Sequence, residues 1–262
     1  MALTTYVRSA CPRLWFFGKF QLYRFLKGEP EIRVLRQVVP RGRLAIDIGA
    51  SIGLYARELS HLTPKVIAFE ANPAVAAFAR AVAPANVEVV NVALSATEGR
   101  AVLRIPVNRR GHATDDLATI ENRNQQYAGE MLAVEVATRR LDDYAFTDCG
   151  FIKIDVEGHE EAVLDGGARL IETQRPVLMI ELVNMHNPGT IGRVVSRFAG
   201  LSYATYFLWR GAWRPFAEFD ERRHQNLALI EGLPRRARRR AYIGNFFFFP
   251  QEAIPAAVRA TA

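Results

Sequence analysis

Short apolar runs alternate with amphipathic stretches along most of this 262-residue chain. Apolar runs bounded by turn residues predict buried strands, and apolar positions spaced three or four residues apart predict helices. The seven predicted strands of the main sheet are 44–48, 65–70, 87–92, 151–155, 177–181, 202–209 and 245–250. The helices predicted around them are 31–39, 52–60, 73–83, 158–172 and 188–199. This alternation predicts an α/β fold with a doubly wound, mostly parallel, seven-stranded sheet.

The stretch from 100 to 140 interrupts the alternation. Two segments, 101–106 and 132–138, alternate apolar and polar residues as half-buried strands do. A polar run, Val107–Glu130, separates them and predicts an inserted β-hairpin with a long loop. Loops of this length in compact domains tend to be lids or binding loops, although a loop without a role is the alternative.

The N-terminal residues predict a helical segment outside the sheet. Leu14–Leu26 is rich in aromatic and aliphatic residues, but Lys19 and Arg24 interrupt it, so we expect neither a membrane span nor a signal peptide. The apolar residues at helical spacing are Phe16, Phe20 and Tyr23 on one face, with Trp15, Leu22 and Leu26 beside it. We expect this helix to pack on the domain or cover its active site, with docking on a membrane surface as the alternative. The predicted division is a helical segment at 1–40 and a catalytic domain at 41–262.

Composition narrows the class of protein only moderately. Half of the residues are apolar, enough for a sizeable core, and the net charge of +7 identifies no partner. The two cysteines, Cys11 and Cys149, are far apart, which argues against a disulfide scaffold or a zinc site and predicts a cytoplasmic protein. An arginine-rich run at 235–240 could bind phosphates, but a solvated connecting segment is the favoured interpretation.

The strongest chemical signal is the segment Leu44–Ala56. A buried strand ends at Asp47, and Gly49 and Gly53 follow in a turn that leads into a helix. Glycines fit where a ligand must approach the backbone closely. A second apolar run ends at Glu70, which is placed to accept hydrogen bonds from ribose hydroxyls at the tip of the next parallel strand. Together these residues predict a nucleoside cofactor.

The glycine spacing indicates which cofactor. A dinucleotide site favours G-x-G-x-x-G with a pyrophosphate at the helix N-terminus, whereas this chain has D-x-G-x-x-x-G. A carboxylate beside a pyrophosphate is repelled, but it is favourable beside the sulfonium and ammonium groups of S-adenosylmethionine. The pattern therefore favours S-adenosylmethionine over a nicotinamide cofactor.

A second polar cluster lies in Lys153–Gly167. Asp155 is at the end of a predicted strand, and Glu157 and His159 follow in the turn. Because Asp47, Glu70, Asp155 and Glu181 each end a strand, we expect them on one rim of the sheet. No closed ligand set is visible, so no metal is predicted, although these residue types are possible ligands. A structural hydrogen bond at a helix cap is the alternative role for His159. The other histidines, at 61, 112, 186 and 224, have no comparable setting.

The chain resembles the FkbM family of S-adenosylmethionine-dependent methyltransferases. The matching pieces are AIDIGASIGLYA, AFEANP, TRRLDDY leading into FIKIDVEGHEEAVLDGG, and PVLMIEL, which together span about residues 44–183. The final NFFFFP also resembles the closing strand of that family. The resemblance implies a class I (Rossmann-like) methyltransferase fold, S-adenosylmethionine as cofactor, and methyl transfer to an oxygen of a small molecule, polyketide or sugar.

The resemblance also implies roles for individual residues. The residues implied to bind the cofactor are Asp47, Gly49, Ser51 and Gly53 for the methionine part, Glu70 for the ribose, Asn72 and Ala93 for the adenine, and Asp155. The candidate general bases are Asp155, Glu157 and His159, with Glu181 in support. Three positions depart from the family pattern, namely Ser51, Ala71 and His159, and the last of these is either a specific adaptation or not catalytic.

Three alternatives remain open at this stage. A nucleic-acid methyltransferase is favoured by the arginine run, but the acids Asp155 and Glu157 stand where base-methylating enzymes often carry an Asn/Asp-Pro-Pro-aromatic turn. A non-catalytic adaptor that keeps the fold would show a blocked glycine or a missing acid, and neither is seen. A nicotinamide oxidoreductase is disfavoured by the glycine spacing. The oligomeric state is not predicted.

Overall fold

A computed structural model describes residues 10–27, 29–107, 118–121, 130–226 and 242–260. The arginine run at 235–240, His112 and most of the Val107–Glu130 loop lie outside the described residues. The strands are β1 (Leu44–Ile48), β2 (Val66–Phe69), β3 (Val87–Val90), β4 (Ala93–Leu94), β5 (Gly99–Pro106), β6 (Met131–Arg139), β7 (Cys149–Ile154), β8 (Val177–Glu181), β9 (Tyr203–Trp209), β10 (Ala212–Pro215) and β11 (Asn245–Pro250). The α-helices are α1 (Pro12–Leu22), α2 (Glu31–Val38), α3 (Leu54–Leu59), α4 (Pro73–Val82), α5 (Glu160–Gly166), α6 (Ala168–Gln174), α7 (Thr190–Gly200), α8 (Glu221–His224) and α9 (Ala256–Arg259).

The main sheet has the strand order β10-β9-β11-β8-β7-β1-β2-β3. Strand β1 pairs in parallel with β2 on one side and with β7 on the other. The chain therefore runs outward from β1 in one direction and later returns to build the other half of the sheet. The point where the direction reverses, between β1 and β7, opens a crevice at the carboxyl ends of these strands.

The main sheet has eight strands, so the predicted number of seven is wrong. The additional strand, β10, pairs antiparallel with β9 at the edge of the sheet. Arg210 and Gly211 connect them as a two-residue loop, and both have positive φ angles of 53° and 85°. Two successive positive φ angles match the twist of a tight hairpin, which lets the chain turn back along β9.

The inserted hairpin is confirmed. Strands β5 and β6 pair antiparallel, and β4 adds to β6 in parallel to form a separate three-stranded sheet. The single helix predicted at 158–172 is wrong, because two short helices, α5 and α6, meet there at Gly167. A Cβ on Gly166 would lie 2.1 Å from the carbonyl oxygen of Ser95, so the junction packs directly on backbone.

The main sheet is covered on both faces. The run Phe246–Phe249 in β11 shows this clearly, because all four side chains are fully buried. Phe246 and Phe248 join the apolar cluster on one face, and Phe247 and Phe249 join the cluster on the other. Strands buried on both faces are continuously apolar instead of alternating, as this run is.

Helix α1 packs on the outside of the sheet domain. Phe16 and Phe20 are buried against Ile52, Val75 and Val82, as expected for its inward face. The segment Tyr23–Lys27 continues α1 as a wider π-helical turn. Within the described ranges, every helix is too short or too polar to cross a lipid bilayer.

Candidate active site

A cavity of about 850 Å³ lies over the carboxyl ends of β1, β2, β7 and β8. It is lined by residues from the glycine turn, the strand ends, helix α1 and the inserted sheet. Its volume is in the upper part of the range for small-molecule sites. Three of the four predicted strand-end acids, Glu70, Asp155 and Glu181, line it together.

The glycine turn forms one wall of the cavity. Gly49 and Ser51 line it, and both have positive φ angles, of 75° and 49°. A Cβ on Gly49 would lie 1.8 Å from the carbonyl oxygen of Asp155, so the neighbouring backbone, and not a ligand, requires a glycine here. Gly53 precedes α3 with a φ of 88°. A Cβ at this position would have no atom of the described residues within 4 Å. Glycine is needed at position 53 for its conformation.

Glu70 links the two turns that border the cavity. Its Oε2 accepts a hydrogen bond of 2.8 Å from the backbone N–H of Ser51, and its Oε1 accepts one of 2.8 Å from the N–H of Asn72. A carboxylate has about four acceptor positions, so these two bonds leave capacity for ribose hydroxyls. Glu70 is therefore both a clamp on the turns and a hydrogen-bond acceptor in the cavity wall.

Asp47 does not line the cavity, contrary to the expectation that it borders the cofactor. Its side chain is completely buried, and burial raises the pKa of this carboxyl. It lies opposite Lys153 in the parallel register of β1 and β7, with Lys153 Nζ 3.7 Å from its Oδ1. Side chains alternate between the two faces of a strand, and Asp47 lies on the same face as Ala45, under α3. It stabilises the lysine that reaches the cavity.

Lys153, Asp155 and Glu181 form the charged floor of the cavity. Lys153 Nζ lies 3.0 Å from Asp155 Oδ2 and 4.8 Å from the ring centre of Tyr55. Burial alone would raise the pKa of Asp155, but the Lys153 ammonium and a hydrogen bond from Glu181 lower it. The charge of Asp155, together with burial, raises the pKa of Glu181 well above its usual value. The Lys153 ammonium therefore favours the ionised form of Asp155, and the negative charge of Asp155 favours the protonated form of Glu181.

Glu157 is held by a histidine that the sequence did not single out. His186 Nδ1 lies 3.0 Å from Glu157 Oε2, and this contact raises the pKa of His186. His186 therefore lies next to a carboxylate, which the sequence did not predict. Oxygens of Asp155, Glu157 and Glu181 lie within 4.8 Å of one another, a spacing that a divalent cation could bridge. The predicted absence of a metal stays a prediction.

His159 connects three parts of the chain. Its Nδ1 lies 2.6 Å from Glu121 Oε1, and its Nε2 lies 3.0 Å from the hydroxyl oxygen of Ser95. Thr119 Oγ1 donates a 2.9 Å hydrogen bond to the carbonyl oxygen of Glu157. These bonds hold the segment 118–121 over the cavity, where Thr119 and Ile120 line the wall. Because both ring nitrogens have partners, the geometry favours a positioning role for His159.

The end of the cavity beside β2 is mostly apolar. Phe69, Val92, Ala93 and Leu94 line it, and a contact between Ala93 and the adenine stays a prediction. Asn72 is not a lining residue. It is buried, and its Oδ1 caps α4 by accepting bonds from the N–H groups of Ala74 and Val75.

Several lining residues were not predicted to be functional. Lys153 could have been predicted from the sequence. It lies two residues before Asp155, and residues two apart on a strand point to the same face. Glu29 and Tyr55 could not have been predicted from a local pattern. The 2.6 Å hydrogen bond from the Tyr55 hydroxyl to Glu29 Oε2 joins separate parts of the sequence. Lys19 reaches the cavity from α1.

A family model and several solved structures match this chain. The family model described as "Methyltransferase FkbM domain" matches residues 47–203. The crystal structure of methyltransferase FkbM from Methylobacillus flagellatus KT matches with a TM-score of 0.53 and 14% identity, covering 94% of this chain and 54% of that one. This chain thus corresponds to about half of the length of that protein. A TehB-like SAM-dependent methyltransferase from Corynebacterium glutamicum matches with a TM-score of 0.42 and 10% identity, covering 90% and 96% of the two chains. No curated protein matches significantly.

Proposed function

Because this chain belongs to the FkbM methyltransferase family, we propose that it transfers a methyl group from S-adenosylmethionine to a hydroxyl oxygen of an acceptor. The proposed acceptor is a small molecule, a polyketide or a sugar. The class I methyltransferase fold is shared with the Methylobacillus flagellatus structure. The observation that carries the proposal is that the Glu70-clamped glycine turn and the Asp155 cluster lie in one cavity.

The residues that line the cavity fit the cofactor. Glu70 keeps acceptor capacity for ribose hydroxyls, and Val92, Ala93 and Leu94 offer an apolar surface to an adenine ring. The turn at Gly49–Ser51 lies between them and the charged floor. The lining carboxyl groups, which include Glu29, Glu70 and Glu157 beside the Lys153–Asp155 pair, favour the sulfonium and ammonium groups of a phosphate-free nucleoside.

When bound, S-adenosylmethionine supplies a methyl group on a positively charged sulfur, which activates it toward a nucleophile. The protein's task is therefore to align the acceptor hydroxyl and to exclude water. The Asp155 carboxylate is the proposed acceptor of the hydroxyl proton, because Lys153 keeps it ionised. Glu181 and Glu157 support the site by holding Asp155 and by binding polar groups of the acceptor. The hydroxyl becomes more acidic as its bond to carbon forms, so a weak base is sufficient.

The charge of the cavity argues against the alternatives. The carboxyl groups of Glu29, Asp155 and Glu157 face the position of an acceptor, and the ionised ones would repel nucleic-acid phosphates. The cavity is open beside an intact Glu70, which a non-catalytic adaptor would not need. The same acids disfavour the pyrophosphate of a nicotinamide cofactor.

The direct test is cofactor binding followed by product analysis. Isothermal titration with S-adenosylhomocysteine should show binding by the wild-type chain. The Glu70→Ala variant should bind at least about 100-fold more weakly, because it loses ribose contacts and the clamp on the turn. Mass spectrometry of hydroxylated metabolites or glycans incubated with S-adenosylmethionine should show the gain of one methyl group.

The matched control is Glu88→Ala, which removes an exposed glutamate paired with Lys65. This variant should bind S-adenosylhomocysteine with the same affinity as the wild type. Equal binding by the Glu70→Ala variant, or no binding by well-folded wild-type protein, would contradict the proposal.

A further inference from the structure

Exposed apolar side chains are concentrated on the N-terminal helix. Among the residues that the structure describes, seven large apolar side chains are exposed, and four of them lie between positions 14 and 25. Leu14 is 68% exposed, Phe17 51% and Phe25 61%, and Leu22 is the fourth. Isolated exposed apolar residues are common, but a cluster on one element marks an interaction surface.

The helix therefore has two apolar faces. Phe16 and Phe20 point inward and are buried against the domain. Leu14 and Phe17 are three residues apart and share the outward face, and Phe25 extends it along the π-helical turn. Packing on the domain accounts for the inward face only. The outward face, which we call the outer face of α1 and define by Leu14, Phe17 and Phe25, has no such explanation, whereas Leu22 lines the cavity.

The charge of this region selects the kind of partner. The first 28 residues contain no acidic residue, and their basic residues are Arg8, Arg13, Lys19, Arg24 and Lys27, of which Arg24 is already paired with the buried Glu58 at 3.2 Å. The Arg33 guanidinium adds positive charge, since it donates to the carbonyl oxygens of Arg24 and Phe25. A second copy of this chain would meet the same positive charge and be repelled. Apolar side chains surrounded by basic residues are instead typical of helices that bind anionic membrane surfaces.

We propose that the outer face of α1 docks this protein on the surface of an anionic lipid membrane. Leu14, Phe17 and Phe25 insert at the boundary between headgroups and acyl chains, while the basic residues contact the anionic headgroups. The helix lies in the plane of the interface, since it is too short to span the bilayer.

Docking has a consequence for the cavity. Lys19 and Leu22 belong to the same segment and also line the cavity, so its entrance would face the membrane. Resting on the proposed function, this favours an acceptor hydroxyl carried by a lipid or presented at the membrane surface. The docking itself does not depend on methyl transfer.

The test is co-sedimentation of the full chain with vesicles, without cofactor or acceptor. One set of vesicles contains phosphatidylcholine alone, and the other contains about 30% phosphatidylglycerol as the anionic lipid. We expect binding to the anionic vesicles that weakens steeply with added salt. The Phe17→Ser/Phe25→Ser variant should bind about 100-fold more weakly, because each of the two inserted apolar side chains contributes about a factor of ten or more.

The matched control is Val102→Ser/Leu132→Ser, which removes two exposed apolar side chains from the inserted sheet. It should bind anionic vesicles as the wild type does. If Phe17→Ser/Phe25→Ser fails to fold, Leu14→Ser alone replaces it, since that side chain is the most exposed of the set.

Three outcomes would overturn the proposal. The first is wild-type protein that binds neither kind of vesicle. The second is an equal loss of binding in the variant and in the control. The third is a wild-type dimer in light scattering that the Phe17→Ser/Phe25→Ser variant abolishes, because the outer face would then bind a second copy of the chain.

Discussion

Asp155 and Glu181 carry the same chemical group, but their pKa values are shifted in opposite directions. Both are carboxyls at neighbouring strand ends, but Lys153 lies 3.0 Å from Asp155. This ammonium lowers the pKa of Asp155 against the effect of burial, and the resulting negative charge raises the pKa of Glu181. One nearby cation thus favours the ionised form of one carboxyl and, through the negative charge of that carboxyl, the protonated form of the other.

This division predicts unequal effects of two amide substitutions. Glu181→Gln keeps a neutral donor toward Asp155, so kcat should stay within about threefold of wild type. Asp155→Asn removes the ionised acceptor and leaves the buried Lys153 with one carboxylate partner fewer, so kcat should fall about 100-fold or more. Steady-state kinetics at saturating cofactor checks this. Equal losses in the two variants would show that the protonation states are assigned wrongly.

At the scale of elements, the inserted sheet contributes a wall to the cavity. The segment 118–121 pairs with β5 through the backbone of Arg104 and Thr119. It is also fixed to α5 by His159 and to the loop before α5 by the carbonyl of Glu157. The described segment 118–121 of the insertion is therefore anchored beside the cavity.

Removing the anchor should affect turnover more than cofactor binding. His159→Ala breaks the bonds to Glu121 and Ser95, so we expect slower turnover and a KM for the acceptor raised about tenfold, with cofactor affinity within about twofold. Glu121→Ala breaks the same contact from the other side and should have a similar effect. The double variant should be no worse than either single one, as expected for residues that act as a unit.

The same comparison tests a general base. If His159 accepts the proton of the acceptor hydroxyl, its loss should reduce kcat far more than the loss of Glu121. Initial rates over a range of acceptor concentrations separate the two roles.

At the scale of the whole molecule, a buried acid makes stability depend on pH. Glu31 in the first turn of α2 is buried, and burial together with the charge of Glu29 raises its pKa to about 8. In the unfolded chain the pKa lies near its ordinary value of 4.5. The folded state therefore binds the proton more tightly, and this contribution to stability is full below about pH 4.5 and is lost as the pH rises through about 8.

Glu31→Gln should remove this dependence. At pH 5 the residue is protonated in the folded protein, so the melting temperature should change little. At pH 9 the variant should melt at least about 4 °C higher than wild type, because it avoids a buried charge. The exposed Glu88→Gln serves as the control and should match wild type at both values. A wild-type melting temperature that does not fall relative to the Glu31→Gln variant between pH 5 and pH 9 would contradict the assignment.

The order and type of the central elements were predictable because they depend on local patterns. Strand β1, the glycine turn and the strand that ends at Glu70 all follow from apolar runs and turn residues close together in the sequence. Where the single helix predicted at 158–172 was wrong, a long-range contact decided. The break at Gly167 depends on packing against Ser95 and Leu141, which lie in other parts of the chain.

The sequence alone determined the family, the class of fold and the position of the candidate site at the carboxyl ends of the strands, because motif spacing and apolar periodicity are local properties. The tertiary structure decided which acids face the cavity. It buried Asp47 beneath α3, paired Lys153 with Asp155, and brought Glu29, Glu121 and His186 to the site. Charge states and contacts of this kind depend on distances between residues far apart in the chain, which no local pattern contains.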